Sequence, residues 1–386
     1  MYWRITAFIL FSFYSLFGQE VNPYLQIEHH LGSYQFERAK VALEELPDSL
    51  KEEQDYHSYR AQIARARGDL QEAKSAYEAW IGLDSNSLKA YLAWAQVESQ
   101  VHNYPKAAKL YLSLIARDSL NPYFYKLLAY LELKRESSIG ALIAFEKVLE
   151  LNPKDQEAAA QLSKLYLDLE QFQLADSLLK EHLVLDSMSR PLNRLYLQSA
   201  FLQKQYPEAA NRAAFSLKEL GDSGLAILRM SGIANYHIQE WSIATHLLLK
   251  ALDSSSDKEQ ILFYLGMIHI AREEHQKGQA YLKLAMQEGT SKAMAVYQLN
   301  LALSYDETAK FQKAIPLYQA VWESSQSPLM LYYLARAYDQ YYADKGPAKD
   351  HYQLFLNSVG DDYYRYQDYS RKRIAELKRQ EHFKAP

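Results

Sequence analysis

Histidines are the first residues whose types could do chemistry, and their spacing does not favour a shared site. His29 and His30 are adjacent, so on a helix their side chains point about 100° apart and cannot chelate one metal ion together. His269 and His275 are six residues apart, on either side of a predicted turn. No H-E-x-x-H stretch occurs either, and we therefore predict no metal site.

Other catalytic patterns are equally scarce. Asp361 and Asp362 could form a carboxylate pair for acid–base work, but they stand at a predicted helix start, where aspartate usually caps the helix. The sequence has no phosphate-binding G-x-x-x-x-G-K-[ST] stretch and no G-x-S-x-G turn. It has no cysteine, which excludes disulfides, thiol nucleophiles and Cys-ligated metals. We expect no cofactor and no enzyme activity, with a site assembled from distant repeats as a remote alternative.

Composition favours a helical protein with a sizeable core. Apolar residues make up 48% of the 386 residues, and only 13 glycines and 11 prolines are present, which argues against an all-β sandwich. The net charge is −4 and the basic residues are scattered, so no nucleic-acid partner is expected. The 32 tyrosines must either pack between helices or lie on a surface.

The N-terminus has the layout of a secretory signal. Arg4 precedes an apolar stretch from Ile5 to Phe17, and Gly18 supplies a small residue before a cleavage site. We predict a signal peptide over residues 1–18 and a periplasmic or secreted protein. The tripeptide at the junction resembles signal ends common in Bacteroidota-type bacteria. Two alternatives remain, namely an uncleaved anchor in the inner membrane, which would bring membrane contact, and a buried first helix.

A period of about 34 residues organises the rest of the chain. A small residue that opens an amphipathic segment recurs ten times, with steps of 34 to 36 residues, at Ala39, Ala73, Ala107, Ala141, Ala175, Ala209, Ala244, Gly278, Ala314 and Ala348. A second small residue often lies twelve positions earlier, at Ala61, Ala95, Ala129, Ser163, Gly266 and Ala302. Small side chains let two helices cross closely, so the period predicts stacked helical hairpins.

This pattern resembles the tetratricopeptide repeat family over roughly residues 22–357. The resemblance implies an all-α, right-handed superhelical solenoid of about ten helix-turn-helix units, which we assign to residues 19–357. The sequence departs from the family pattern at Leu197, where a small residue is expected. It also departs in the turns before Tyr206 and Trp241, which look one residue short. The first leading helix, about residues 22–31, looks abbreviated.

Residues 358–386 are predicted to form a capping helix and tail. Apolar residues recur along this segment, and its later half is basic. The apolar positions are Tyr366, Tyr369, Ile374 and Leu377, and the predicted polar outer face consists of Arg371, Lys372, Arg373, Lys378 and Arg379. Such a helix covers the last hairpin of a repeat array. Contact of the basic face with a membrane surface is the alternative.

The resemblance also places certain leading-helix residues on the inner, concave face. In the first half these are Lys89, Gln96, Tyr123, Lys126, Tyr130 and Lys164. In the second half they are Phe263, Met267, Leu299, Leu303, Tyr332 and Arg336. The first set is polar and cationic and the second is more apolar, which suits an extended partner that is acidic at one end and apolar at the other.

The function that this resemblance implies is an exported scaffold that binds a protein or peptide partner in the concave groove. The alternative is a glycan-binding or cell-envelope assembly module that uses tyrosine rings as platforms.

Overall fold

The computed structural model describes residues 22–289, 293–360 and 363–382. The predicted signal peptide and the Asp361–Asp362 pair lie outside these ranges. Within them the chain is helical and has no strand, which confirms the predicted all-α class. The helices fall into two compact units, one that ends at Leu185 and one that begins at Asp186.

The first unit contains five helix pairs and one short extra helix within its described residues. The pairs are α1 (Leu25–Gly32) with α2 (Phe36–Glu44), α4 (Gln54–Arg67) with α5 (Leu70–Leu83), α6 (Leu88–Gln100) with α7 (Tyr104–Arg117), α8 (Pro122–Lys134) with α9 (Ser138–Leu151), and α10 (Gln156–Asp168) with α11 (Phe172–Leu185); the short helix is α3 (Asp48–Lys51). The first leading helix is abbreviated, as predicted.

The second unit contains five more pairs and a terminal helix in the part of the chain that is described. The pairs are α12 (Arg190–Leu202) with α13 (Tyr206–Lys218), α14 (Leu225–His237) with α15 (Trp241–Ser254), α16 (Glu259–Ala271) with α17 (His275–Glu288), α18 (Met294–Glu307) with α19 (Phe311–Ser325), and α20 (Pro328–Tyr341) with α21 (Gly346–Ser358); the terminal helix is α22 (Tyr364–His382). The count of about ten units is therefore confirmed.

Most of the turns inside the pairs share one backbone design. A residue with positive φ ends the leading helix, and the next N–H donates to the carbonyl five residues earlier, as in Asn103 N to Glu98 O at 2.8 Å. This arrangement satisfies helix-end carbonyls that would otherwise lack a donor. Lys204 and Gln239 adopt the same conformation. The turns before Tyr206 and Trp241 therefore have the common length, and the prediction that they are one residue short is wrong.

The small residues that define the period lie where the paired helices cross. All ten fall within the first four positions of a second helix, and all are buried. Leu197 is fully buried although it replaces a small residue. It shares a core cluster with Ala209, Ala210 and Ala213, whose methyl groups leave space for its larger side chain. The ten small residues thus lie at the helix crossings in both units, and we call them the small-residue seam.

The terminal helix α22 packs on the last pair, as the cap prediction expected. Ile374 and Leu377 are buried, whereas Tyr369 is 42% exposed. Arg373 is not on the polar outer face as predicted. Its Nε donates to Asp339 Oδ2 at 2.7 Å, because the guanidinium reaches back to a buried carboxylate on α20 whose other cation, Lys345, lies farther away at 3.6 Å.

One buried histidine gives the first unit a pH-dependent stability. His182 is 1% exposed, and its Nδ1 has no hydrogen-bond partner among the described residues. Burial lowers the pKa of His182 from its ordinary value. The unfolded chain therefore takes up the proton more readily than the folded chain, so stability is complete above about pH 6.5 and falls as the pH drops below that value.

We expect His182→Leu to reduce the loss of stability on acidification, because it removes a group that resists protonation in the folded state. The measurement is the urea midpoint at pH 7.5 and at pH 5.5. His29→Leu, on the exposed side of α1, is the control and should keep the wild-type pH dependence. An unchanged pH dependence in His182→Leu would contradict the assignment.

Candidate functional site: the inner face of the leading helices

Three predicted site residues share one face of α8. Tyr123, Lys126 and Tyr130 are spaced by three and four residues, which places them together on a helix. Tyr123 is 48% exposed. The rings of Tyr130 and Phe145 are nearly perpendicular, at 89°, with centroids 5.4 Å apart. The spacing therefore places these three side chains on one face of the helix, and their role in binding stays a prediction.

The charge of this surface differs from the prediction. The ammonium group of Lys126 lies 2.6 Å from Asp155 Oδ2 and 3.2 Å from Glu157 Oε2. The hydroxyl of Tyr130 also donates to Glu157. Hydrogen bonds from Tyr130 and Lys126 lower the pKa of Glu157, so it stays ionised. Two carboxylates face one ammonium here, and the predicted cationic character is absent at Lys126.

The first unit has a cavity of 840 Å³ between α4, α5 and α6. Ligand pockets in proteins usually have volumes of about 300–1,000 Å³. The floor of the cavity is formed by Tyr77 and Trp80, which are 1% and 6% exposed. The walls are mainly polar and consist of Gln54, Asp55, Ser58, Tyr59, Gln62, Arg65, Ala66, Lys89, Ala93 and Gln100. We call this space the inner cavity.

Two cations, Arg65 and Lys89, line the inner cavity. Within the described ranges, neither Arg65 nor Lys89 has a carboxylate within 4.0 Å. Arg65 Nη1 donates to Gln96 Oε1 at 3.4 Å, a long hydrogen bond to a neutral group. Asp55 is the carboxylate in the lining, so the cavity carries two positive charges against one negative. Such a site favours an anionic ligand group.

The cavity also contains a donor without an acceptor. Trp80 lines the floor, and its Nε1 is buried with no hydrogen-bond partner in the described part of the chain. A buried N–H that lacks an acceptor costs free energy, about 1–3 kcal/mol.

Of the predicted residues, Lys89 lines the inner cavity and Gln96 accepts a hydrogen bond from Arg65 in its wall, whereas the lining residues on α4 were not predicted. Asp55 and Gln62 lie 34 residues before Lys89 and Gln96, one full period earlier. That offset would have identified them. Lys164 is exposed on α10 and does not line the inner cavity. The predicted residues of the first unit therefore divide between the cavity, the Lys126 cluster and an isolated exposed position.

The predicted residues of the second unit mostly pack into its core. Phe263, Met267, Leu299 and Leu303 are half-buried against one apolar cluster. Tyr332 is 7% exposed, because α21 and α22 close around its ring. The Tyr332 ring centroid lies 4.9 Å from that of Tyr366 on α22. Tyr332 therefore packs in the interior and does not present an open binding surface.

Arg336 is half-buried and paired. Its Nη2 lies 3.4 Å from Asp306 Oδ1, and Asp306 also accepts a hydrogen bond from the Tyr318 hydroxyl at 3.1 Å. This arrangement gives the buried carboxylate two partners from different helices. Arg336 is accordingly a structural residue in this unit, and a substitution there would disturb packing as well as any surface contact.

The other chemical candidates do not assemble into a site. His269 stacks on Tyr281 with centroids 5.3 Å apart and an interplanar angle of 4°, which fits a packing residue. Across residues 22–289, 293–360 and 363–382, no group of three or more His, Asp and Glu side chains could hold a metal ion. In the same ranges no helix has the length and apolar character needed to cross a membrane.

The geometry of paired helices with a small-residue seam is matched by a family model. The model for the tetratricopeptide repeat matches residues 92–156, which span α6 to α9 and the start of α10. Residues 92–156 therefore contain tetratricopeptide repeats. No curated protein matches the chain. The repeats continue at the same period through both units, and folds of this type build extended binding surfaces from adjacent repeats.

Several solved structures are similar to these repeats. A tetratricopeptide repeat protein from Parabacteroides merdae is 16% identical, with a TM-score of 0.44 over 65% of this chain and 98% of that one. YrrB, described as having an unusual peptide-binding site, is 20% identical, with a TM-score of 0.43 over 49% and 97%. The Cut9–Hcn1 structure is 12% identical, with a TM-score of 0.43 over 91% and 95%. These values indicate a general likeness of helical repeats and nothing about the ligand of this chain.

Proposed function

We propose that this chain is an exported interaction scaffold that binds an extended peptide segment of a protein partner in the inner cavity of its first unit. The observation that carries this proposal is the pair of cations, Arg65 and Lys89, above a floor of Tyr77 and Trp80. The cations would meet a carboxylate of the partner, and the aromatic floor would contact an apolar side chain beside it. The partner is accordingly an acidic segment with an apolar residue.

The experiment uses a photoreactive p-benzoylphenylalanine at Gln62, which lines the inner cavity. Cells that produce the protein are irradiated, and adducts are identified by mass spectrometry. We expect an adduct whose yield falls about tenfold in the Arg65→Glu/Lys89→Glu variant, because like charges then face the partner. The partner segment recovered from the adduct should be acidic.

Lys154→Glu is the control for charge reversal, because Lys154 is exposed in the loop before α10 and lies outside the inner cavity. It should leave the adduct yield unchanged. The proposal would be rejected by an adduct at Gln62 that persists in the double variant, or by a basic partner segment. Helical content measured by circular dichroism must be the same in all variants.

Export is the second part of the proposal and is supported by the signal-like residues 1–18. N-terminal sequencing of the protein recovered from a periplasmic or secreted fraction should begin at Gln19. A chain that begins at Met1 and sediments with the inner membrane would instead support the uncleaved anchor.

A further inference from the structure

A second surface of the first unit is apolar. It lies on the side of α8 opposite to Lys126 and Tyr130. Leu128 is two residues from both Lys126 and Tyr130, and a two-residue step on a helix is about 200° of rotation. A cavity of 600 Å³ opens on this side, between α7, α8 and α9. We call it the outer groove. Its apolar lining consists of Ala108, Leu112, Ile115, Tyr125, Leu128, Ile143 and Ala144.

The walls of the outer groove carry exposed aliphatic side chains in helical register. Leu112 is 53% exposed and Ile143 is 60% exposed, and Ile139, one turn before Ile143, is 70% exposed. Ala108, Leu112 and Ile115 form a matching stripe on α7. Isolated exposed aliphatics are common on proteins, but two facing stripes around one cavity form a contiguous patch of the kind found at interaction sites.

The backbone around the outer groove limits what can occupy it. Its walls come from α7, α8 and α9, whose N–H and C=O groups are engaged within the helices. An extended segment would therefore leave its own backbone groups without partners against an apolar wall, at a cost in free energy. A helix satisfies its backbone internally and presents only side chains. The groove consequently favours a helical occupant.

The rim of the outer groove is acidic once its internal ion pairs are considered. Arg135 Nη1 lies 2.7 Å from Glu132 Oε1, and Lys147 Nζ lies 2.7 Å from Glu150 Oε1. Glu146 accepts a hydrogen bond from the Tyr166 hydroxyl at 2.8 Å. Burial and this hydrogen bond raise the pKa of Tyr166 to about 12, so the donor is neutral and leaves the negative charge of Glu146 uncompensated.

We propose that the outer groove binds an amphipathic helix of a partner protein, with the apolar ridge of that helix between Leu112 and Ile143 and a flanking lysine or arginine at Glu146. This partner is separate from the acidic segment proposed for the inner cavity, because the inner cavity is lined by α4, α5 and α6 and the outer groove by α7, α8 and α9. The first unit then connects two partners of opposite charge.

The probe is a phage-displayed library of helical peptides with a fixed leucine ridge and randomised flanking positions. The library is selected on the purified protein, and the dissociation constant of the enriched peptide is measured by fluorescence anisotropy. We expect lysine and arginine to be enriched in the flanks. Leu112→Glu and Ile143→Glu should each weaken binding by about tenfold or more, and Glu146→Gln by about threefold to tenfold.

Val41→Glu is the matched control, since Val41 is also 53% exposed on a second helix of the same unit but lies outside the outer groove. It should bind the peptide like the wild type, and so should Arg65→Glu/Lys89→Glu, which tests the inner cavity separately. The proposal is overturned by acidic flanks in the selected peptides, or by binding that does not depend on Ile143. It is also overturned if sedimentation shows a dimer that Ile143→Glu dissociates, because a second copy would then occupy the groove.

Discussion

Gly278→Ala should destabilise the second unit by about 1–3 kcal/mol, the range for forcing extra atoms into a packed core. Gly278 and Gly266 face each other where α16 and α17 cross. A Cβ at position 278 would lie 2.6 Å from Ile270 Cγ1 and 2.9 Å from the carbonyl oxygen of Gly266. The carbonyl belongs to a helix backbone, so the two helices must separate to relieve the contact. Urea denaturation followed by circular dichroism measures the change.

Gly82→Ala is the matched control for this experiment. Gly82 is also helical, near the end of α5, and a Cβ there would meet nothing within 4 Å. The same substitution should therefore stabilise the protein slightly, by about 0.5 kcal/mol, through helix propensity. Equal effects at the two positions would contradict the close crossing of α16 and α17. Changes of opposite sign in the free energy of unfolding would show that close packing at Gly278 outweighs the helix propensity of alanine.

Arg373→Met should destabilise the second unit by about 3 kcal/mol, because it leaves a buried carboxylate without its main partner. The side chain of Asp339 is 1% exposed and receives two hydrogen bonds from Arg373, at 2.7 and 3.1 Å. Lys345 Nζ lies 3.6 Å from the same carboxylate and would compensate only in part. Loss of the pair should also loosen α22, since Arg373 links this helix to α20.

Two measurements distinguish the buried pair from ordinary surface charge. Lys372→Met, on the same helix, removes a 72% exposed ammonium that pairs with Asp368, and its urea midpoint should match the wild type. Asp339→Asn combined with Arg373→Met should be less destabilised than Arg373→Met alone, because the buried charge is then gone. If the double variant is no more stable than Arg373→Met alone, the guanidinium acts by packing alone.

The inner cavity and the outer groove differ in the physics of recognition. The inner cavity combines cations that lack a carboxylate partner with a buried aromatic floor, so its affinity for the proposed acidic segment should fall as salt screens the exposed charges. The outer groove is mainly apolar and should respond less to salt. We therefore expect the two proposed partners to be released at different salt concentrations.

The sequence alone determined the repeat, because small residues at a fixed spacing report directly on helix crossings. Ala107, Ala141 and their equivalents mark positions where a larger side chain would hold two backbones apart, so the small residue type recurs at each crossing. Helical spacing likewise placed Tyr123, Lys126 and Tyr130 on one face. These inferences need only the geometry of a single helix and its partner.

Only the tertiary structure decided the charge and the exposure of those faces. Lys126 is neutralised by Asp155 and Glu157 from the next leading helix, Tyr332 is enclosed by α22, and Arg373 turns inward to Asp339. The non-glycine turns at Lys204 and Gln239 were also invisible in sequence, since residue type there does not report a positive φ. Residue spacing gives the direction of a side chain on its own helix. The atoms that the side chain contacts belong to neighbouring repeats, and these contacts form only when the helices stack.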